Sequence, residues 1–465
     1  MKKYELKNPL SPNLMEDIFD YESVPKIVFD GPVIEVIDGK QVVFDPADMK
    51  KRDIVITDTT FRDGQQARPP YSVDQCVNLF KMIAHLGGPS GVVRQSEFFL
   101  YNNKDREVVE KCRELDLPFP EITGWIRAVK GDFKLVAKMG LRETGMLTSS
   151  SDYHIYNKLK TDRAGAFNDY IAVVEAAIEA NVRPRCHLED VTRADIHGFV
   201  LPFVQKLAEI SDQVSDELKP KVRLCDTMGF GITYPGASLP RSIPKLVHTI
   251  ITEGGIPGER LEWHGHNDFH KAHINGATCW LYGCDAVNTT LAGFGERTGN
   301  PPLEGAIMEY IGIKGDMCGI DTTVLRDISR YLRKECGMRI PSNQPFMGRK
   351  FNATSAGIHA DGLTSDERIY NVFNTTKLLK RPPAVNITDK SGIDGVAMWV
   401  NNFLGLNGDA RLSKIKMAKI GRWVVDQYEK EARITSISDE EMIEQIKTFL
   451  PAQYEEAMKR GDVEE

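Results

Sequence analysis

Asp58-Thr59-Thr60-Phe61-Arg62-Asp63-Gly64-Gln65-Gln66 is a polar stretch between an apolar run, Ile54-Val55-Ile56, and a helix start at Ser72. Apolar run, polar loop, then helix reads as the first βα unit of a repeating α/β domain. In such domains the loop beyond the strand's C-terminal end carries the chemistry. Arg62 and Asp63 stand side by side here, next to Gly64. An anion clamp beside a hard metal ligand suits a carboxylate chelated to a divalent cation. An adjacent Arg and Asp are also an ordinary surface ion pair, so the functional reading needs further ligands. His264-Gly265-His266 supplies them.

Outward from this unit the same alternation recurs. Runs rich in β-branched residues begin near Ile54, Val92, Glu121, Arg142, Arg183, Lys221, Leu261 and Ala286, each followed by a polar loop and an amphipathic helix. The first helix carries an S-x-x-Q capping box at Ser72 and Gln75, an apolar face of Leu79, Met82 and Ile83, and a stop at Gly87-Gly88. Eight such units in roughly 250 residues predict a (β/α)8 TIM barrel. An open doubly wound sheet would carry a Gly-rich phosphate loop after its first strand, and none stands there.

The expected organisation has three parts. Residues 1–50 form an N-terminal extension with a β-hairpin turning at Asp38-Gly39, residues 51–320 the barrel, and residues 321–465 a smaller, mainly helical C-terminal region. That region opens with a helix over Leu325–Cys336 and a loop-rich section over Pro341–Gly362. Helices follow near Gly395–Leu404, Leu412–Ala432 and Asp439–Phe449, then a charged tail over Glu455–Glu465.

The 465 residues, 41% of them hydrophobic, suffice for a large core. A net charge of -7 without a basic tract sets nucleic acid aside. The start, Met1-Lys2-Lys3-Tyr4-Glu5, has no apolar leader, and no long uncharged apolar run follows, so the expectation is a cytoplasmic protein with no membrane partner. Eight scattered cysteines without a C-x-x-C pair read as reduced thiols.

Side chains alternate along a strand, so His264 and His266 at the end of the seventh barrel strand share the inner face. The first and seventh strands of a closed barrel are separated only by the eighth, so Asp63 can join them. Two histidines and a carboxylate with open positions suit a divalent ion that takes substrate oxygens. Asn300, after the eighth strand, can serve as a fourth ligand or stand behind the ligands. Other strand-end candidates are Glu97, Arg127, Thr148-Ser149-Ser150-Ser151, His187-Leu188-Glu189-Asp190 and Asp226-Thr227.

Six motifs then occur in order: Thr59–Gln66 (T-T-F-R-D-G-Q-Q), His187–Asp195 (H-L-E-D-V-T-R-A-D), Cys225–Gly229 (C-D-T-M-G), His264–Asp268 (H-G-H-N-D), Gly295–Asn300 (G-E-R-T-G-N) and Gly357–Gly362 (G-I-H-A-D-G). Over roughly residues 51 to 395 this resembles the Claisen-condensing DRE-TIM metallolyases, which include the 2-isopropylmalate, homocitrate, citramalate and Re-type citrate synthases. Length, N-terminal extension and local spellings are most similar to the Re-type citrate synthases. The resemblance implies a divalent metal (Mn2+ or Mg2+, with Co2+ a third candidate) and condensation of acetyl-CoA with a 2-oxo acid, followed by thioester hydrolysis. It implies Asp63, His264, His266 and Asn300 as metal ligands. It implies Arg62, Glu189, His359 and Tyr370 as catalytic residues: Arg62 on the developing alkoxide, Glu189 and His359 in proton transfer at the acetyl methyl. Arg62, Gln66, Glu97, Arg127 and Thr227 would bind substrate. It also implies a homodimer, the His359 region serving the partner's site.

Two departures bear on the substrate. The roughly 70 residues beyond 395 fall short of an independent domain of usual size, which argues against a leucine-binding regulatory domain. Several relatives place a histidine near position 145, where this chain has Gly145; a small residue there is expected to leave room for a polar or charged group on the oxo acid. A 2-oxo dicarboxylic acid is therefore expected: oxaloacetate first, then 2-oxoglutarate, with the isopropylmalate and citramalate reactions behind. A lyase of the 3-hydroxy-3-methylglutaryl-CoA type would carry a Gly-Cys loop where Gly295-Glu296-Arg297 stands. A barrel kept only for binding would have lost the ligands.

Overall fold

A computed structural model describes residues 3–66, 68–406 and 408–460. The chain divides into two compact units, Lys26–Arg339 and a second made of Met1–Pro25 with Ile340–Glu465.

The first unit opens with an antiparallel hairpin, β1 (Val33–Ile37) and β2 (Lys40–Phe44), in the register set by Asp38-Gly39. Eight parallel strands follow: β3 (Val55–Asp58), β4 (Val93–Phe99), β5 (Glu121–Arg127), β6 (Glu143–Ser149), β7 (Arg183–Glu189), β8 (Lys221–Asp226), β9 (Leu261–Gly265) and β10 (Ala286–Thr289). They pair in sequence order, and β10 returns to β3, with Ala286 opposite Val55 and Thr289 opposite Asp58, closing the expected barrel. Each strand begins within one residue of its sequence signal. The first helix, Val73–Gly87, has the reciprocal Ser72–Gln75 capping box and stops at Gly88, where φ is 68° and a Cβ would collide with the Gly319 carbonyl oxygen. A helix over Val324–Lys334 belongs with this unit.

Alternation divides the strands between two environments. Ile56, Ile126, Met146, Cys186, Leu188, Val222, Leu224, Trp263 and Val287 are buried in the apolar layer. The alternate positions meet inside the barrel, and there the residues are polar and charged. Arg185 of β7 reaches Glu262 of β9 (3.0 Å) and Gln95 of β4 (3.2 Å); bonds between non-adjacent strands have to cross the lumen. Arg223 donates from Nε to Glu262 (2.6 Å) and from Nη1 to Glu97 (3.1 Å). Lys221 and Arg185 pair with Glu143 at 2.9 and 3.2 Å. Burial alone would raise these carboxyls. Around Glu97 the guanidinium groups of Arg223, Arg62 and Arg185 outweigh burial and hold it at about 2. Lys221 and Arg185 do the same for Glu143.

In the second unit, residues 3–25 are tied to the C-terminal half. The Tyr21 hydroxyl donates to Glu367 (2.7 Å), and Lys377 pairs with Glu22 (3.0 Å). A two-stranded parallel sheet joins β11 (Ala353–Thr354) to β12 (Ala384–Val385). Helices Gly392–Phe403, Ala418–Glu429 and Asp439–Phe449 enclose a core of Val396, Val400, Leu404, Met417, Ile420, Val424, Met442 and Ile446. Two sequence expectations change. Within the section read as loop, Gly357–Ser365 is a helix carrying His359. Of the stretch read as a charged tail, residues up to Arg460 lie in a helix over Pro451–Arg460, and residues 461–465 lie outside the described residues. Both are short polar helices with few apolar positions, so the 3.6 period is weak in their sequences.

Removing Arg223 would leave two buried carboxylates without their shared partner. Arg223→Met is expected to lower unfolding stability by about 3–5 kcal/mol, measured by denaturant titration followed by circular dichroism.

Candidate active site

The loop after β3 is folded by its own polar side chains. Asp58 accepts from the Thr60 N–H (3.0 Å), the Thr60 hydroxyl (2.5 Å) and the Ser96 hydroxyl (2.8 Å). Thr60 Oγ1 in turn accepts from the Leu291 N–H (2.9 Å), beyond β10. These bonds turn Arg62 and Asp63 inward, where both are buried.

Asp63 lies with His264 and His266, one potential ligand atom of each within 4.8 Å of the others. Asp63 Oδ2 is 3.6 Å from His264 Nε2 and 3.9 Å from His266 Nε2. The two Nε2 atoms face each other at 3.3 Å. Asp63 Oδ2 is buried without a hydrogen-bond partner, and so are Asn300 Oδ1 and His266 Nδ1. Burial, then the adjacent imidazole, drives the His264 pKa down; burial also lowers that of His266, so both are neutral at pH 7. Burial would raise Asp63, but the Arg62 guanidinium beside it lowers it and holds it ionised. Two neutral imidazoles, a carboxylate and an amide oxygen, buried with unused lone pairs, fit a divalent cation.

Asn300 hydrogen-bonds with Asp63, and two glycines shape the loop that carries it. Its Nδ2 donates to the Phe294 carbonyl (3.1 Å), over Gly295, where a Cβ would collide with that same amide nitrogen. At Gly299 φ is 90°, and a Cβ would strike the Gly293 carbonyl oxygen. Arg297 closes the loop through Asp268 (2.9 Å) and the Thr227 carbonyl.

The remaining candidates fall into three groups. Arg62 joins the cluster: its Nη1 is 3.6 Å from Asp63, and its Nε donates to Glu97 (2.8 Å). Glu97, expected to bind substrate, is thus committed to Arg62 and Arg223. Glu189 stands at the same end of the barrel on β7, accepting from Lys158 (2.8 Å) and the Ser149 hydroxyl and facing His154 Nδ1 (3.0 Å). Burial would raise Glu189, but His154, Lys158 and Ser149 outweigh it and hold it at about 2. The third group comprises Arg127, Gln66, Thr227 and the two rings of the second unit. Arg127 is 64% exposed in its side chain and donates two hydrogen bonds to Asp132, from Nε (3.0 Å) and Nη2 (3.1 Å). Gln66 is exposed. Thr227 is occupied by the Asp190 N–H (2.8 Å). In the second unit, the His359 and Tyr370 rings are 4.2 Å apart.

The room expected at Gly145 is filled. A Cβ there would lie 2.5 Å from His187 Nε2 and 2.8 Å from Glu97 Oε1. The glycine accommodates an imidazole from the neighbouring strand, not substrate. Arg185, Arg223, Glu262, His154, Lys158 and Asn288 were not singled out from sequence. The signal for the first three was present: charged or imidazole side chains at every second position of buried strands, Arg183-Pro184-Arg185-Cys186-His187 above all.

The HMGL-like family model matches residues 53–332, the barrel with the helix that follows it. The chain belongs to the HMGL-like family. Among curated HMGL-like relatives, citrate (Re)-synthase of Syntrophus aciditrophicus (strain SB) is 51% identical over 98% of this chain and 71% of that protein. Citrate (Re)-synthase of Clostridium kluyveri is 43% identical over 98% of both chains. The 2-phosphinomethylmalate synthase of Streptomyces hygroscopicus is 33% identical over 88% of this chain and 91% of that one.

If the Gly295 hydrogen is what admits Asn300, then Gly295→Ala should weaken Mn2+ binding about 10-fold without loss of helical circular dichroism. The free-ion electron paramagnetic resonance signal during titration reads this directly.

Proposed function

We propose that this protein condenses acetyl-CoA with oxaloacetate and hydrolyses the resulting thioester to citrate, with the Re-face stereochemistry of its relatives. The observation that carries this reading is the cluster of Arg62, Asp63, His264, His266 and Asn300 in a chain matched along 98% of its length by citrate (Re)-synthases. Oxo acid, acetyl-CoA and water give citrate and free coenzyme A, and loss of the thioester makes the sequence irreversible.

Asp63, His264, His266 and Asn300 would hold the cation, and a donor set with two imidazoles favours Mn2+ or Co2+ over Mg2+. When bound, the cation supplies Lewis acidity at the oxo-acid carbonyl and neutralises its carboxylate. Arg62 is aimed by Glu97 at the same point and places a fixed positive charge where the alkoxide develops. Burial of Arg62 strengthens that contact, because water screens it poorly there. Glu189, already bonded to three neighbours and held at about 2, is a poor proton acceptor at neutral pH. Its part is to orient His154 and Lys158. Removal of the acetyl proton then falls to His359, with the Tyr370 ring tilted against it.

The reading includes a homodimer in which His359 and Tyr370 of one subunit serve the barrel of its partner. It places the enzyme in the cytoplasm, supported by eight free cysteines. No helix among the described residues is long and apolar enough to cross a membrane.

Release of coenzyme A thiol, measured with Mn2+ and one oxo acid at a time, tests the substrate. Oxaloacetate should exceed 2-oxoglutarate, 2-oxoisovalerate and pyruvate by about 100-fold in kcat/KM, and Arg62→Lys should lose about 10²–10³ in kcat. Faster turnover of 2-oxoglutarate would make the enzyme a homocitrate synthase. The dimer is tested by mixing two inactive variants, His359→Ala and His264→Ala, under exchange conditions. Activity should return in the mixture, and its absence would place His359 in its own subunit's site or outside the chemistry.

A further inference from the structure

His264 differs from His266 in one respect. His266 Nδ1 is buried with no partner, whereas His264 Nδ1 meets Asn288 Oδ1 at 2.8 Å. Asn288 lies on β10 and is wholly buried. Its amide continues the contact: Nδ2 donates to Thr57 Oγ1 at 2.8 Å, and the Thr57 hydroxyl meets Glu262 Oε1. Glu262 also accepts from Arg185 Nη1 (3.0 Å), Arg223 Nε (2.6 Å) and Arg223 Nη2 (3.2 Å). The chain Glu262–Thr57–Asn288–His264 therefore runs from two buried guanidinium groups to a candidate cation ligand.

The direction of each bond follows by elimination. A carboxylate that accepts from two arginines has only lone pairs to offer. Thr57 has one hydroxyl proton, and it must go to Glu262. Thr57 oxygen then accepts, so Asn288 turns its NH2 toward Thr57. The carbonyl oxygen of Asn288 is left facing His264, which must donate from Nδ1–H. The proton of the neutral imidazole is thereby fixed on Nδ1, and the Nε2 lone pair points at Asp63 Oδ2 and His266. With the amide reversed, His264 would accept at Nδ1 and carry its proton on Nε2, where no cation could bind.

We propose that Asn288, set by Thr57, is a positioning residue that holds His264 in its ligating tautomer. The inference rests on the reading of Asp63, His264 and His266 as cation ligands. Partners of this kind behind a ligating histidine are worth about 10–100-fold in metal affinity.

The test is Mn2+ affinity by electron paramagnetic resonance on the full-length protein, independent of turnover. Asn288→Leu keeps the volume and loses the acceptor; its Kd for Mn2+ should rise about 10–100-fold. Thr57→Val is isosteric and removes only the hydroxyl, freeing the amide to reverse; its Kd should rise about 10-fold. Thr57→Ser restores the hydroxyl and should bind as wild type does, which a packing role for Thr57 would not give. His264→Ala separates the two readings. Loss of binding in His264→Ala, with wild-type affinity in Asn288→Leu and Thr57→Val, would overturn the positioning role and leave the cation site standing. Wild-type affinity in His264→Ala as well would overturn both. Should Asn288→Leu fail to fold, Thr57→Val against Thr57→Ser decides alone.

Discussion

Arg223 bridges two buried carboxylates, and the arrangement of the site descends from that bridge. One guanidinium group spans Glu97 and Glu262 inside the barrel. Glu97 passes the constraint to Arg62, and Glu262 passes it through Thr57 and Asn288 to His264. Arg62 and His264 are thus both held from one point beneath them. Buried charges are poor stabilisers when compared with apolar packing, and their retention makes most sense where they fix geometry. In this lumen they replace the layers of branched aliphatic side chains that usually fill such barrels.

A lumen of this kind presets the site. Arg62, His264 and Asn300 have little freedom to relax, since each is buried and tied to backbone or, directly or through Asn288, to the ion network. Preorganised charges stabilise a developing alkoxide without reorganisation at the moment of reaction. The Gly295-to-Asn300 loop contributes in the same sense: its glycines make room for the Asn300 amide nitrogen and the Gly293 carbonyl.

The barrel was legible because its signals are local and repeated. Eight strand starts, the Ser72 capping box and the Asp38-Gly39 turn each depend on a few neighbouring residues. His264 and His266 were legible for the same reason: two positions apart on one strand, they had to share a face. Asn288 was not, since one amide in a four-residue strand forms no pattern. The pairing of Glu97 with Arg223 joins residues 126 apart, and only closure of the barrel reveals it. Gly145 shows the limit most plainly. A missing side chain reads as empty space in a sequence, whereas here His187 and Glu97 occupy that space from adjacent strands. Arg127 was placed correctly at a strand end, but its bond to Asp132 turns it outward, a choice that spacing alone does not decide.

The most direct test of a cation centre at the mouth of this barrel is anomalous scattering at the manganese edge from crystals grown with Mn2+. The expected result is one strong peak within bonding distance of Asp63, His264, His266 and the Asn300 amide oxygen, with Asn288 facing His264 Nδ1. A peak elsewhere in the protein, or none at saturating Mn2+, would contradict that centre and with it the proposed chemistry.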